Sequence, residues 1–109
     1  LVIVGLTRHY NYKWDETKNR ASRKAKGDEK NTMAEELEML AKFAGHHKLK
    51  HRFAIQPDRE ISKYYHVSGI PHVVVIDRKG KIRLMKVGSG SANAKAVEAM
   101  IRKLIKEDA

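Results

Sequence analysis

The apolar residues of this chain fall into short runs that predict alternating strands and helices. Residues 1–7 are almost entirely apolar and predict a buried strand. A second run, residues 73–76, is made of β-branched side chains, which suit a central strand covered on both faces. Pro71 stands just before this run, and because proline has no backbone N–H it is expected to open the strand.

Two longer segments have the apolar spacing of amphipathic helices. Thr32 and Glu35 have the form of a capping box, which predicts a helix that begins there and ends at Gly45. Ser91 or Asn93 is the candidate N-cap of a second helix near the end of the chain. The apolar stripe of this second helix consists of Val97, Met100, Ile101, Leu104 and Ile105.

Shorter elements fill the chain between these helices. The pattern predicts a strand within residues 50–56 and a short helix over 59–65. Residues 77–80 end in glycine and predict a tight turn, which would pair 71–77 antiparallel with 81–87. The predicted order is strand, insertion, helix, strand, short helix, strand, strand, helix, and this order indicates an α/β fold.

Residues 8–31 lack an apolar pattern and predict a long basic surface insertion. The chain carries 23 Lys and Arg against 13 Asp and Glu, a net charge of +10 that favours anionic partners. Tyr10, Tyr12 and Trp14 lie among cations and could stack on bases, although acidic residues interrupt the basic run. Nucleic-acid binding is therefore disfavoured, because basic loops more often only solvate a surface, and a loop that docks an acidic protein is an alternative use of the insertion.

The chain contains no cysteine among its 109 residues, a length that suits one domain. Thiolate nucleophiles, disulfides and cysteine metal sites are excluded for the chain as it stands. His46, His47 and His51 raise the possibility of a metal site, but the predicted helix ends before them, so a solvated basic loop is favoured. We therefore expect neither a metal nor another cofactor.

Several segments together resemble a known superfamily. The resemblance covers residues 65–71, the apolar strand that follows them, residues 76–82, and the pair Val87 and Gly88. These segments resemble the thioredoxin superfamily. More narrowly, they resemble the redoxin or TlpA-like branch of bacterial thiol-disulfide oxidoreductases, which act in cell redox homeostasis. The resemblance implies one truncated thioredoxin-like domain over residues 1–109, with a mixed sheet flanked by helices. It also implies that the chain is a C-terminal fragment without the central strand, the active-site helix and the Cys-x-x-Cys pair.

The resemblance further implies a substrate-binding loop without a catalytic residue. In that family the proline that corresponds to Pro71 is cis and lies beside the cysteine pair. Gly69, Ile70, Pro71 and His72 would bind substrate, with the backbone of Ile70 pairing with an extended segment. His72 replaces a small polar residue and would either tune a neighbouring thiolate or be an ordinary loop histidine. The plainer alternative is that the loop only shapes the start of a strand.

The expected partners are protein thiols and disulfides in the periplasm or another extracytoplasmic compartment. No apolar run is long enough to span a bilayer, and a membrane tether outside this sequence is left open. Without a central strand, residues 1–7 would pair directly with 70–77 or a second copy would complete the sheet. The main alternative is a cysteine-free thioredoxin-like module that only binds proteins. A Cys-x-x-Cys pair about 25 to 30 residues before the first strand would favour the enzyme over that module.

Overall fold

The computed structural model describes residues 1–23 and 31–108. They form two compact units, Leu1–Ile61 and Ser62–Ala109. The first unit contains β1 (Val4–Thr7), β2 (Tyr12–Asp15), β3 (Arg20–Arg23), α1 (Met33–His46), β4 (Arg52–Ile55) and the start of α2 (Glu60–Tyr64). The second contains the remainder of α2, β5 (His72–Ile76), β6 (Ile82–Val87) and α3 (Ser91–Ile105).

In the first unit, β1 and β4 form a parallel pair. The register runs from Val4 opposite Arg52 to Thr7 opposite Ile55. A parallel pair needs a long crossover, and α1 lies in the segment that connects the two strands. Gly5 allows the close approach of Phe53, because a Cβ at position 5 would lie 2.8 Å from the Phe53 ring. Two of the predicted strands are therefore present, and they are neighbours. The first begins at Val4 and is not buried as predicted, because the side chains of Val4 and Leu6 are exposed.

The predicted surface insertion contains a hairpin that the apolar pattern did not indicate. β2 and β3 pair antiparallel, with Tyr12 opposite Arg23 and Asp15 opposite Arg20. The Asp15 carboxylate accepts hydrogen bonds from the backbone N–H groups of Thr17 and Lys18, and these bonds shape the turn. The sequence predicted a long surface insertion without strands here, so the hairpin is an element that the prediction missed, while residues 24–30 of the insertion lie outside the described residues. The hairpin packs on α1, a contact that sequence periodicity does not encode.

The start of α1 agrees with the predicted capping box. Thr32 Oγ1 accepts a hydrogen bond from the backbone N–H of Glu35 at 3.1 Å, and the Glu35 carboxylate accepts one from Thr32 N at 3.2 Å. The helix continues one residue past Gly45, to His46, and the backbone N–H of His47 caps it by donating to Phe43 O. The predicted beginning is confirmed, and the predicted end is off by one residue.

In the second unit, β5 and β6 form the predicted antiparallel hairpin. Asp77 N donates to Lys81 O at 2.9 Å, Gly80 N donates to Asp77 O at 3.0 Å, and Gly80 has a φ of 79°. Glycine tolerates that positive φ without the steric cost of a side chain. α3 packs against both strands of the hairpin.

The N-terminus of α3 differs from the prediction. Gly90 occupies the N-cap position, with no side-chain hydrogen bond at the cap, so neither Ser91 nor Asn93 is the N-cap. The Asn93 amide instead donates to Val87 O at 3.0 Å and Gly88 O at 2.9 Å. Asn93 therefore ties the first turn of α3 to the end of β6, because these two carbonyls lie within its reach.

The mixed α/β class is confirmed, whereas a single mixed sheet is not found. The described strands form three two-stranded sheets, β1 with β4, β2 with β3, and β5 with β6. Only three apolar side chains of the described residues are buried, those of Met39, Ile55 and Leu104. The prediction that the 73–76 strand is covered on both faces was wrong, because Val73 and Ile76 are exposed.

Candidate partner-binding loop

The loop between α2 and β5, together with the first residue of β5, holds all four residues that the sequence predicts to bind substrate. At the C-terminal end of α2, Val67 N donates a hydrogen bond to Ser62 O and His66 N donates one to Lys63 O. His66 has a φ of 53°, which turns the chain away from the helix axis. Residues 69–71 then form a run of bends that leads into β5. We call residues 69–72 the binding loop.

The binding loop exposes its apolar side chain and leaves backbone groups unpaired. Ile70 is 78% exposed. Within the described part of the chain, neither the N–H nor the C=O of Ile70 makes a hydrogen bond. Pro71, by contrast, accepts a hydrogen bond from Gly88 N at 2.8 Å, which fixes the loop to the end of β6. The Ile70–Pro71 peptide bond is cis, as the resemblance implies.

Gly69 leaves space beside the backbone of Ile70 that is bounded on one side by Val87. A Cβ at position 69 would meet Val87 Cγ1 at 3.5 Å, an ordinary van der Waals distance, and no other atom lies near it. A larger side chain would occupy the space beside the Ile70 backbone. The sequence had indicated glycine here for close approach of a substrate, and this geometry is compatible with that role.

His72 has an environment that the sequence did not reveal. It is the first residue of β5 and lies opposite Val87 in the register. Both ring nitrogens, Nδ1 and Nε2, are shielded from solvent, and neither has a hydrogen-bond partner in the described structure. Buried polar atoms in native proteins nearly always have a partner, so this imidazole is an exception that needs a physical reason. It is not the exposed loop histidine that was one of the two sequence interpretations.

The three histidines considered for a metal site interact with aromatic rings instead. His47 lies 4.5 Å from Phe43 between ring centroids, and His51 lies 4.8 Å from Phe53. His46 lies 5.5 Å from Trp14. Over residues 1–23 and 31–108, no group of three metal-ligating side chains comes together. These histidines therefore contribute to the packing of α1, β2 and β4.

The aromatic residues of the insertion also contact other side chains. The Tyr10 and Tyr12 rings lie 5.7 Å apart, and the Arg8 guanidinium lies 5.4 Å from the centre of the Tyr10 ring. Trp14 is half-buried against His46. Rings engaged in this way present less of their faces for stacking on bases, so the geometry does not favour a nucleic-acid interface.

A buried carboxylate anchors the segment that follows β1, and sequence reasoning missed it. Glu36 on α1 is 1% exposed, and its oxygens accept hydrogen bonds from the backbone of Tyr10 at 2.8 Å and Asn11 at 3.3 Å. His9 Nε2 lies 3.1 Å from the same carboxylate and 2.9 Å from Asn31 Oδ1. Glu36 occupies the first turn of an amphipathic helix, so the sequence suggested only a solvated charge.

In the second unit, an ion-pair cluster joins the β5–β6 hairpin to the end of α3. Arg83 donates to Asp77 at 3.1 Å and to both oxygens of Glu107 at 2.8 and 3.1 Å. The pKa of Glu107 is lowered, first by its hydrogen bonds from Arg83. The pKa of Asp77 is also lowered, first by the backbone N–H of Lys81 and then by Arg83. Both carboxylates are therefore stabilised in their charged forms.

Comparisons with known proteins identify no relative of this chain. No model of a protein family, no curated protein and no solved structure matches this chain. In the described residues, no helix has the length and apolar character needed to cross a membrane.

Proposed function

We propose that the chain is part of a thioredoxin-like thiol-disulfide oxidoreductase and that its binding loop holds extended segments of protein substrates. The observation that supports this proposal best is the exposed Ile70, whose backbone N–H and C=O make no hydrogen bond in the described structure. Both groups stand directly before a strand, where an added chain can continue a ladder. The proposed setting is extracytoplasmic, where protein disulfides form and persist.

The proposed binding mode is strand addition at the binding loop. The Ile70 C=O accepts a hydrogen bond from a backbone N–H of the substrate, and the Ile70 N–H donates one to a substrate carbonyl. These bonds hold the substrate in an extended conformation, and Ile70 packs against its side chains. The chain itself supplies no nucleophile because it has no cysteine. The exchange of thiols and disulfides therefore requires cysteines from outside residues 1–109.

Fluorescence anisotropy with a labelled peptide tests the binding mode. The probe is an extended peptide of about ten residues with one central cysteine. Its matched control carries N-methyl groups on alternate amides, which remove backbone donors and keep the side chains. We expect the first peptide to bind and the methylated one to bind at least tenfold more weakly. Equal affinity for both peptides, or no binding of either, would contradict strand addition.

Gly69 provides a test within the chain. Replacement of Gly69 by Val fills the space beside the Ile70 backbone, and we expect it to weaken peptide binding. Gly45→Val is the control, because a Cβ at position 45 meets no atom within 4 Å and this position lies on α1, away from the binding loop in sequence. Equal binding losses in both variants would mean that the effect is not local to the binding loop.

A cysteine-free module that only binds proteins would use the same loop. Ile70 supports both functions equally, so activity must separate them. The oxidoreductase requires a Cys-x-x-Cys pair in the parent protein and catalyses reduction of insulin disulfides by dithiothreitol. A parent protein that binds the peptide but does not accelerate insulin reduction would support the binding module.

Self-association through strand edges is a further part of the proposal. In the described part of the chain, β1 and β4 form a two-stranded sheet, and Val4 and Leu6 of β1 are exposed. An exposed apolar edge strand can recruit another chain. A second copy that pairs at β1 would cover both side chains.

A further inference from the structure

His72 differs from the other histidines of the chain in the surroundings of its ring nitrogens. Its two ring nitrogens are both shielded from solvent and unpartnered in the described structure. The other histidines either contact a polar or aromatic partner or are exposed to solvent: His9, His46, His47, His51 and His66. An imidazole that loses its hydrogen bonds to water and gains none in the fold destabilises the protein. The position of His72 therefore calls for a functional explanation.

The place of His72 in the fold suggests where its missing partner would lie. It follows Pro71 directly and lies two residues after Ile70, which is the exposed residue of the binding loop. A neutral imidazole has one N–H donor and one acceptor nitrogen. Rotation of the ring about χ1 moves these atoms relative to the loop backbone, and rotamer changes of this kind are common when partners bind.

We propose that, when an extended segment binds to the loop, the His72 ring turns toward it and donates a hydrogen bond to the sulfur of a cysteine in that segment. This inference rests on the proposed function, since it needs a substrate thiol at the loop. The N–H of the imidazole stabilises the thiolate, and the thiol proton leaves to solvent. The bond satisfies a donor that has no partner among residues 1–23 and 31–108. His72 thus contacts the reacting sulfur directly and favours its thiolate form.

The absence of cysteine from the chain makes the test direct. Iodoacetamide can alkylate a cysteine only on the added peptide, so the rate of alkylation reports the thiolate fraction of the peptide alone. The probe is the same peptide of about ten residues, present at a concentration at which the protein saturates it. With wild-type protein we expect alkylation at neutral pH to be about three- to tenfold faster than for free peptide. His72→Phe is expected to abolish the acceleration, and His66→Phe, at an exposed histidine of the same segment, is expected to retain it.

The variants also separate this role from a structural one. Because His72→Phe removes two buried atoms that are unpartnered in the described structure, we expect thermal unfolding at the same or a higher temperature. Anisotropy gives the affinity of each variant for the peptide, and alkylation is compared at protein concentrations that saturate the peptide for that variant. His72→Gln is a second variant with a side-chain N–H donor, and we expect it to restore part of the acceleration. Peptide binding without acceleration by the wild type would overturn this inference and leave the proposed function standing. No peptide binding by the wild type would overturn both.

Discussion

At the scale of single residues, Glu36 shows how one buried charge can organise a polar segment. Its carboxylate accepts backbone hydrogen bonds from Tyr10 and Asn11, and His9 lies beside it. Hydrogen bonds to a charged group contribute more to stability than neutral ones, and they replace the water that the carboxylate loses on burial. The residues after β1 are thereby attached to α1, although their sequence is polar and has no apolar period.

Replacement of Glu36 by Ala is predicted to destabilise the protein by about 1.5 to 3 kcal/mol, because two backbone donors and His9 lose their acceptor. Urea unfolding followed by circular dichroism measures this change. Glu38→Ala is the control, since Glu38 is an exposed residue of the same helix. Similar losses for both variants would contradict the anchoring role of Glu36.

Gly5 and Gly45 allow a second prediction at the same scale. Replacement of Gly5 by Ala places a Cβ 2.8 Å from the Phe53 ring, and we expect a loss of about 1 to 3 kcal/mol from overpacking. Replacement of Gly45 by Ala meets no atom within 4 Å and lies in α1, so a gain of about 0.5 to 1 kcal/mol is expected. Chemical denaturation of both variants measures the loss and the gain in the free energy of unfolding. An unchanged stability of Gly5→Ala would show that Phe53 moves aside at little cost.

At the scale of elements, local chemistry was predictable and contacts between elements were not. The capping box of α1 and the 77–80 turn depend on residues close in sequence, and both were predicted correctly. The β2–β3 hairpin depends on packing against α1, and the N-terminus of α3 depends on the reach of Asn93 to β6. The four residues of the binding loop are a prediction from the sequence, whereas the unpartnered ring nitrogens of His72 are seen only in the three-dimensional structure.

The ion-pair cluster at Arg83 makes the second unit sensitive to acid. Asp77 and Glu107 have lowered pKa values in the folded chain, so each stabilises the fold above its ordinary pKa of 3.8 or 4.5. This stabilisation is lost as the pH falls below that range and through the lowered folded pKa values. We predict that the melting temperature falls as the pH is lowered from 5 to about 2. Circular dichroism melts over this range measure the effect.

An Arg83→Met variant isolates the contribution of the cluster. Without the guanidinium, Glu107 loses the main cause of its lowered pKa, so the fall of the melting temperature with acid should become shallower. Arg102→Met is the control, because Arg102 forms an exposed pair with Glu98 within α3. An unchanged acid dependence in Arg83→Met would exclude the cluster as its source.

At the scale of the whole molecule, the chain buries little apolar surface for its length. Among the described residues, only Met39, Ile55 and Leu104 are buried apolar side chains, and each sheet has two strands. Each two-stranded sheet packs against one helix, and apolar side chains of β1, β5 and β6 remain exposed, so covering them should stabilise the protein. This shortage of a core is the physical reason to expect a partner chain, whether another copy or a substrate.

The same shortage predicts that the protein self-associates through β1. We expect sedimentation equilibrium to show a mass above 12.5 kDa that rises with protein concentration. Leu6→Lys places a charge on an exposed edge strand, which opposes pairing of strands, so this variant should sediment as a monomer. Leu37→Lys is matched in exposure, 43% against 42%, but lies on α1, and it should associate as the wild type does. A wild-type protein that stays monomeric, or equal loss of association in both variants, would contradict pairing at β1.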